Sequence, residues 1–386
     1  MNELSLNQSM NSTSPRKVVY NSEVAIQLCF IFYLTLITSL MFPHIYGYVS
    51  SGGITAPLTY SQLHQTSGIP FDVIRYNRQA YLFSEAIRDP STDTGNVFLL
   101  NWTGLGYAGG LLRVAFGNAY VFIVTALNIF FLHRTWMNYR SVMPNGDAAV
   151  RALPMLLFAI PPFVGSYVFG LNKECISLYV LSSLVRTVVA TGKIDFFSVF
   201  LITFSRTHLL ACIIAALRPR RQLISAALFV VAISLVYPFF RLGADFESYY
   251  LNQSSNIRSQ EMYRIIEQVK HVPLGYCLAL PFLIMLNVVT PIYTAISRLS
   301  QGYGNLYLYY LLFGLQIIVC AVMLLKRRSA SKVDFLILIF VAVVLTTPFL
   351  QPRYLLPIVP CVYFASLGGK ARRYTPAYSG SASSTR

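Results

Sequence analysis

The apolar residues of this chain fall in blocks rather than at alternating positions. The blocks run to about 18 to 22 residues, the length that carries a helix across a bilayer. In lipid every backbone N–H and C=O has to be satisfied within its own segment, so blocks of this length predict helices. A barrel would show alternating strands of about ten residues instead. The pattern predicts an all-α polytopic membrane protein, with residues 23–369 forming a single transmembrane domain. The Asn- and Ser-rich residues 1–22, with Arg16 and Lys17, and the Ser- and Gly-rich residues 370–386 read as disordered cytoplasmic tails.

Taken in order, the first block, Val24 to Phe42, exceeds a signal-peptide core and has no small-x-small site after it. It is expected to remain as the first span and to leave the chain outside. The long polar loop 43–96 follows, punctuated by Gly52, Gly53 and Pro57. Within it Ile69, Val73, Tyr76, Ala80, Phe83 and Ile87 recur every three or four residues. That period predicts an amphipathic helix along the outer membrane surface, with Arg75, Arg78 and Arg88 at the headgroups. Next, Val97 to Gly117 is apolar but interrupted by Asn101, Gly104, Gly106, Gly109, Gly110 and Arg113. A bent or half-inserted segment is expected there, running into a firmer helix from Asn118 to Leu132. His133, Arg134, Arg140 and Arg151 mark a cytoplasmic loop. A third helix, Ala152 to Gly170, is kinked by its prolines and returns the chain outside at Leu171 to Glu174.

Beyond that point two topologies remain. Two apolar runs between Cys175 and Leu217 flank Gly192-Lys193-Ile194-Asp195. If both span, the basic loop Arg218 to Arg221 faces outside, against the positive-inside rule, and the total is about ten crossings. If one spans, that loop is cytoplasmic, 241–272 is a second external polar loop, Pro273 to Tyr293 is re-entrant or interfacial, and the total is about eight. The second version is preferred. A last pair, Val333 to Leu350 and Tyr354 to Leu367, is joined by an external turn at Gln351-Pro352-Arg353.

Composition agrees with this class: 55% of the 386 residues are hydrophobic, 11% are charged, and the mean hydropathy is +0.56. The net charge of +16 comes from basic residues that flank apolar blocks, as expected beside anionic lipid, so no nucleic-acid partner is expected. The six cysteines lie in or beside apolar runs without CxxC spacing and read as packing residues.

Candidate chemistry gathers on the outer face of the preferred topology. Asp72, Arg75 and Tyr76 fall at i, i+3 and i+4 and share a helix face. Lys173 with Glu174, the 241–272 loop, and Arg353 with Tyr354 open on the same side. Arg206 and His208 lie in an apolar run, where ionisable groups are costly and cluster at sites that handle substrates. Two carboxylates from different segments would supply a general base and an orienting group, with Arg and Lys holding a phosphate. Each has a plainer structural reading. Asp72 would be a solvated helix cap after Pro70, Lys173 and Glu174 a hydrated hairpin, Arg353 a snorkelling anchor, and Arg206 and His208 an ion pair or headgroup contact.

The external helix with Asp72, Arg75, Tyr76 and Ala80 is followed by Gly104-Leu105-Gly106-Tyr107, Phe116-Gly117 and Asn128, then Gly170-Leu171-Asn172-Lys173-Glu174 and Pro352-Arg353-Tyr354. This order resembles the GT-C superfamily of polyisoprenyl-phosphate-dependent membrane glycosyltransferases, particularly bacterial repeat-unit polymerases of surface polysaccharide. The resemblance covers the N-terminal half and the last hairpin. It implies a multi-pass protein of the bacterial inner membrane with its active site facing outward. The implied donor is a sugar or oligosaccharide on undecaprenyl phosphate or diphosphate, and the acceptor is a saccharide; other polysaccharide-assembly proteins would be partners besides membrane lipid. By this resemblance Asp72 takes the acceptor proton, Lys173, Arg206 and Arg353 stabilise the leaving phosphate, and Glu174 orients Lys173 or binds sugar hydroxyls. Many members pair acids in the first external loop, whereas Asp72 has no acidic neighbour, so no metal cofactor is expected. A transporter or flippase of lipid-linked oligosaccharide is the competing expectation.

Overall fold

A computed structural model describes residues 71–91, 104–142, 170–202, 332–345 and 357–366, with isolated positions elsewhere. These segments are helical, without strands among the described residues. In chain order the helices are α1 (Phe71–Arg88), α2 (Leu105–Phe116), α3 (Tyr120–Val142), α4 (Lys173–Arg186), α5 (Phe196–Ile202), α6 (Lys332–Leu345) and α7 (Ile358–Ser366). Among the described residues two stretches are long and apolar enough to cross a membrane, Leu105–Val142 and Lys173–Thr191.

The first of these is bent. A straight helix would hold Gly109 and Asn128 about 28 Å apart. Yet the Leu171 side chain lies on Gly109, and Asn128 Nδ2 bonds the carbonyl of the adjacent Gly170 at 3.0 Å. The chain turns at Gly117, whose φ of 58° is open to glycine at little cost, and passes through a short tight turn, Gly117–Ala119, into α3. The bend expected from the glycines is there. The helical ends differ from expectation: α2 begins at Leu105, and α3 continues to Val142. His133, Arg134 and Arg140 therefore sit on the last turns of a helix, not in a loop. Burial of Trp136 and Tyr139 and a 2.9 Å contact between Tyr139 Oη and Cys361 Sγ of α7 extend the packing there.

α3 and α4 lie side by side and run the same way, since Asn128 meets Gly170 while Asn138, further along, bonds Ser182 at 3.0 Å. Tyr179 packs against Phe131 between them, with ring centroids 5.5 Å apart. α4 ends in a widened turn, Thr187–Thr191, closed by the left-handed Gly192, whose N–H bonds Thr187 O. Asp195 then caps α5 by accepting from Phe197 N at 3.2 Å. Ser198 donates to Ser183 at 2.8 Å, pinning α5 back on α4. The two runs around Gly192 thus form a packed hairpin, of which α4 and its terminal turn have span length.

α1 is amphipathic as its period predicts, but it does not lie open on a surface. Val73, Tyr76 and Ala80 are buried together with Asn77, Gln79 and Ser84, while Arg78 and Arg88 stay exposed. Its partner is α2, whose Gly106, Gly109 and Gly110 let α1 approach closely: a Cβ at Gly110 would stand 2.5 Å from Phe83 Cδ1. Small residues at such a seam are the usual means of bringing membrane helices together. α1 stops where Asp89 precedes Pro90, which disfavours helical φ and ψ. The Asp89 carboxylate accepts from the Ser91 hydroxyl and amide, and these bonds hold it below the usual carboxylate range. Phe122, Leu127 and Phe130 of α3 and Leu111, Val114 and Phe116 of α2 are exposed, apolar surface suited to lipid.

Candidate functional site

The site is built around the turn that opens α4. Gly170, at φ 81°, takes the left-handed conformation, and its missing side chain leaves room for α1. A Cβ there would stand 2.8 Å from Val73 Cγ1 and 3.1 Å from Asn77 Nδ2. Asn128 of α3 clamps the turn from the other side through the carbonyls of Val168 and Gly170, at 2.9 and 3.0 Å. Asn77 donates to Val73 O at 2.7 Å and accepts from the Tyr120 hydroxyl, so one buried amide ties α1 to α3. Asn172 is extended and caps α4, accepting from Glu174 N at 3.0 Å.

These constraints put four polar side chains at the start of a helix of span length. Lys173 Nζ lies 5.0 Å from the centre of the Tyr76 ring, bringing a cation from α4 onto the face of α1. Glu174 is 1% exposed, which rules out the hydrated-hairpin reading for it. Asn172 Nδ2 and Ser177 Oγ are shut off from solvent and have no hydrogen-bond partner among the described residues. Lys173, Glu174 and Ser177 project within one sector of the helix, and Asn172 sits over its end. An orphaned buried amide or hydroxyl costs about 1–3 kcal/mol, and two so close together at one helix start call for an explanation.

Of the residues singled out from the sequence, Tyr76, Lys173 and Glu174 fall in this region. Asp72 and Arg75 lie on the first turns of α1, inside the helix, so Asp72 is a first-turn acid rather than the residue before the helix. Their side chains, and Arg206, His208, Arg353 and Tyr354, lie outside the described residues. Asn77, Tyr120 and Ser177 carry no sequence signal beyond their place on helical faces. Asn77 follows the buried Val73 by one turn, and a polar residue in an apolar stripe is the one hint available.

A second group sits nearby. Arg113, on α2, holds its guanidinium carbon 4.8 Å from the Tyr81 ring centre and 5.9 Å from that of Tyr120. Cation–π contacts at these distances are worth about 0.5–2 kcal/mol each. Comparison with protein-family models, with curated proteins and with solved structures finds no match for this chain.

Proposed function

We propose that the chain is a multi-pass membrane glycosyltransferase, similar to the GT-C superfamily, acting on the outer face of a bacterial inner membrane. It would pass a sugar or oligosaccharide from a polyisoprenyl-(di)phosphate donor to a saccharide acceptor, extending a surface polysaccharide. The observation that carries this reading is the buried polar turn from Asn172 to Ser177 at the start of an apolar helix. Sugar hydroxyls both accept and donate, so a saccharide can meet the Asn172 amide, the Ser177 hydroxyl and a carboxylate with the same kind of group. In the proposed reaction the acceptor oxygen attacks the anomeric carbon as its proton passes to Asp72. The bond to the phosphate oxygen breaks, and the leaving phosphate takes the electron pair beside Lys173. The multi-pass topology is supported by the common direction of α3 and α4, because a chain that crosses twice the same way has to return between the crossings.

Ser177 separates this reading from a structural one. Ser177→Ala removes an orphaned buried hydroxyl, so thermal stability in detergent is expected to hold or rise. Transfer is expected to show a KM raised by about tenfold, the loss of one hydrogen bond to substrate. An unchanged KM would remove Ser177 from the site.

The break at Gly117 favours a second reading, a flippase, because discontinuous helices line substrate paths in transporters. Proteoliposomes loaded with a polyprenyl-diphosphate-linked oligosaccharide decide between them. Lengthened product with release of polyprenyl diphosphate is the result expected. Movement of the intact donor between leaflets, without product, would establish the flippase instead.

A further inference from the structure

Arg113 of α2 has no anionic partner among the described residues, where Arg88 pairs with Glu85. Its Nη1 is shut off from solvent and has no hydrogen-bond partner there, while the side chain as a whole keeps part of its surface open. Leu111, Val114 and Phe116 around it on α2 are exposed. From Arg113 to Arg134 the chain carries no Lys, Arg, Asp or Glu. Because the chain turns at Gly117, the straight span is α3 itself, whose 23 residues rise about 34 Å, and the Arg113 guanidinium reaches the ring of its first residue, Tyr120, which puts it at one end of that span. Tyr81, half-buried, and Tyr120, fully buried, flank it there.

The rings shield the guanidinium through their π faces but give its edge no acceptor. The Tyr120 hydroxyl is already spent on Asn77. The missing group is an anion with paired oxygens that arrives from the lipid phase, and a phosphate matches the guanidinium fork. We infer that Arg113, between Tyr81 and Tyr120, is a binding site for the phosphate of a membrane lipid. The phosphate belongs either to a phospholipid headgroup or to a polyprenyl carrier. The site stands on geometry apart from the Asn172–Ser177 turn and does not depend on glycosyl transfer.

The test uses the full chain in a neutral detergent, titrated with phosphatidylglycerol, polyprenyl phosphate and diacylglycerol, with binding read by native mass spectrometry. Wild type is expected to retain the two phosphate lipids and to lose diacylglycerol. Arg113→Gln is expected to weaken phosphate-lipid binding by about tenfold, the loss of one charge-assisted hydrogen bond. Arg113→Lys, which keeps the charge without the fork, covers the case in which the glutamine variant does not fold. It is expected to bind several-fold more weakly and with greater salt sensitivity. Binding of both phosphate lipids assigns a phospholipid site, and binding of polyprenyl phosphate alone assigns a carrier site. Equal retention of diacylglycerol, or a lysine variant that matches wild type, overturns the inference, since a simple snorkelling anchor predicts both.

Discussion

Gly170→Ala is expected to cost about 2–5 kcal/mol and to loosen α1 from the bundle. Two effects add at this residue. Its φ of 81° lies in the left-handed region, where a Cβ costs about 1–2 kcal/mol. The new methyl would also press on Val73 Cγ1 and Asn77 Nδ2, and overpacking of that kind costs about 1–3 kcal/mol. Asn77 is the amide that joins α1 to Tyr120, so the damage would reach α3. Gly117→Ala is the control, because it has φ 58° and open space around the would-be Cβ. It should bear the backbone cost alone. Denaturation midpoints of the two variants, with amide exchange read along α1, give the difference. Equal stability of Gly170→Ala and wild type would show that the turn does not hold the helix.

Why Gly170 matters could not be read from its neighbours in the chain. The period of Val73, Tyr76 and Ala80 marked the inner face of α1, and that face is buried. What the period left open was the cover. The outer membrane surface was expected there, but α2 and the Gly170–Leu171 turn occupy the face, because three glycines on α2 permit an approach that hydropathy does not register. The same glycines did signal the bend at Gly117. Charge placement misjudged the end of α3 for a physical reason. Basic residues report which side of a membrane a segment favours, and a helix with Trp136 and Tyr139 packed inward can continue past them. The burial of Glu174 was likewise hidden, since it depends on Asn172 capping α4 and on α1 lying over the turn.

On the proposed reaction, Asp72→Asn is expected to lower the rate of transfer by about 10²–10⁴-fold, the range that one general base contributes. KM should move little, because asparagine keeps the size and hydrogen-bonding reach of aspartate while losing the ability to take a proton. The choice of Asp72 over Glu174 rests on the burial of Glu174. Glu174 is 1% exposed inside the first turn of α4, a poor place from which to pass a proton on to water. Asp72 stands on the opening turn of α1, one turn before the Tyr76 ring that carries the Lys173 ammonium. Asp72 and Tyr76 are separated by about 6 Å of helix rise, on the helix that the Lys173 ammonium approaches. Glu174→Gln should accordingly act mainly on KM, by about tenfold, as the loss of one bond to a sugar hydroxyl. Single-turnover assays on purified, correctly inserted protein separate the two. If Asp72→Asn transfers at the wild-type rate while Glu174→Gln does not, the base is Glu174, and proton exit would then have to run through the Asn172–Ser177 turn.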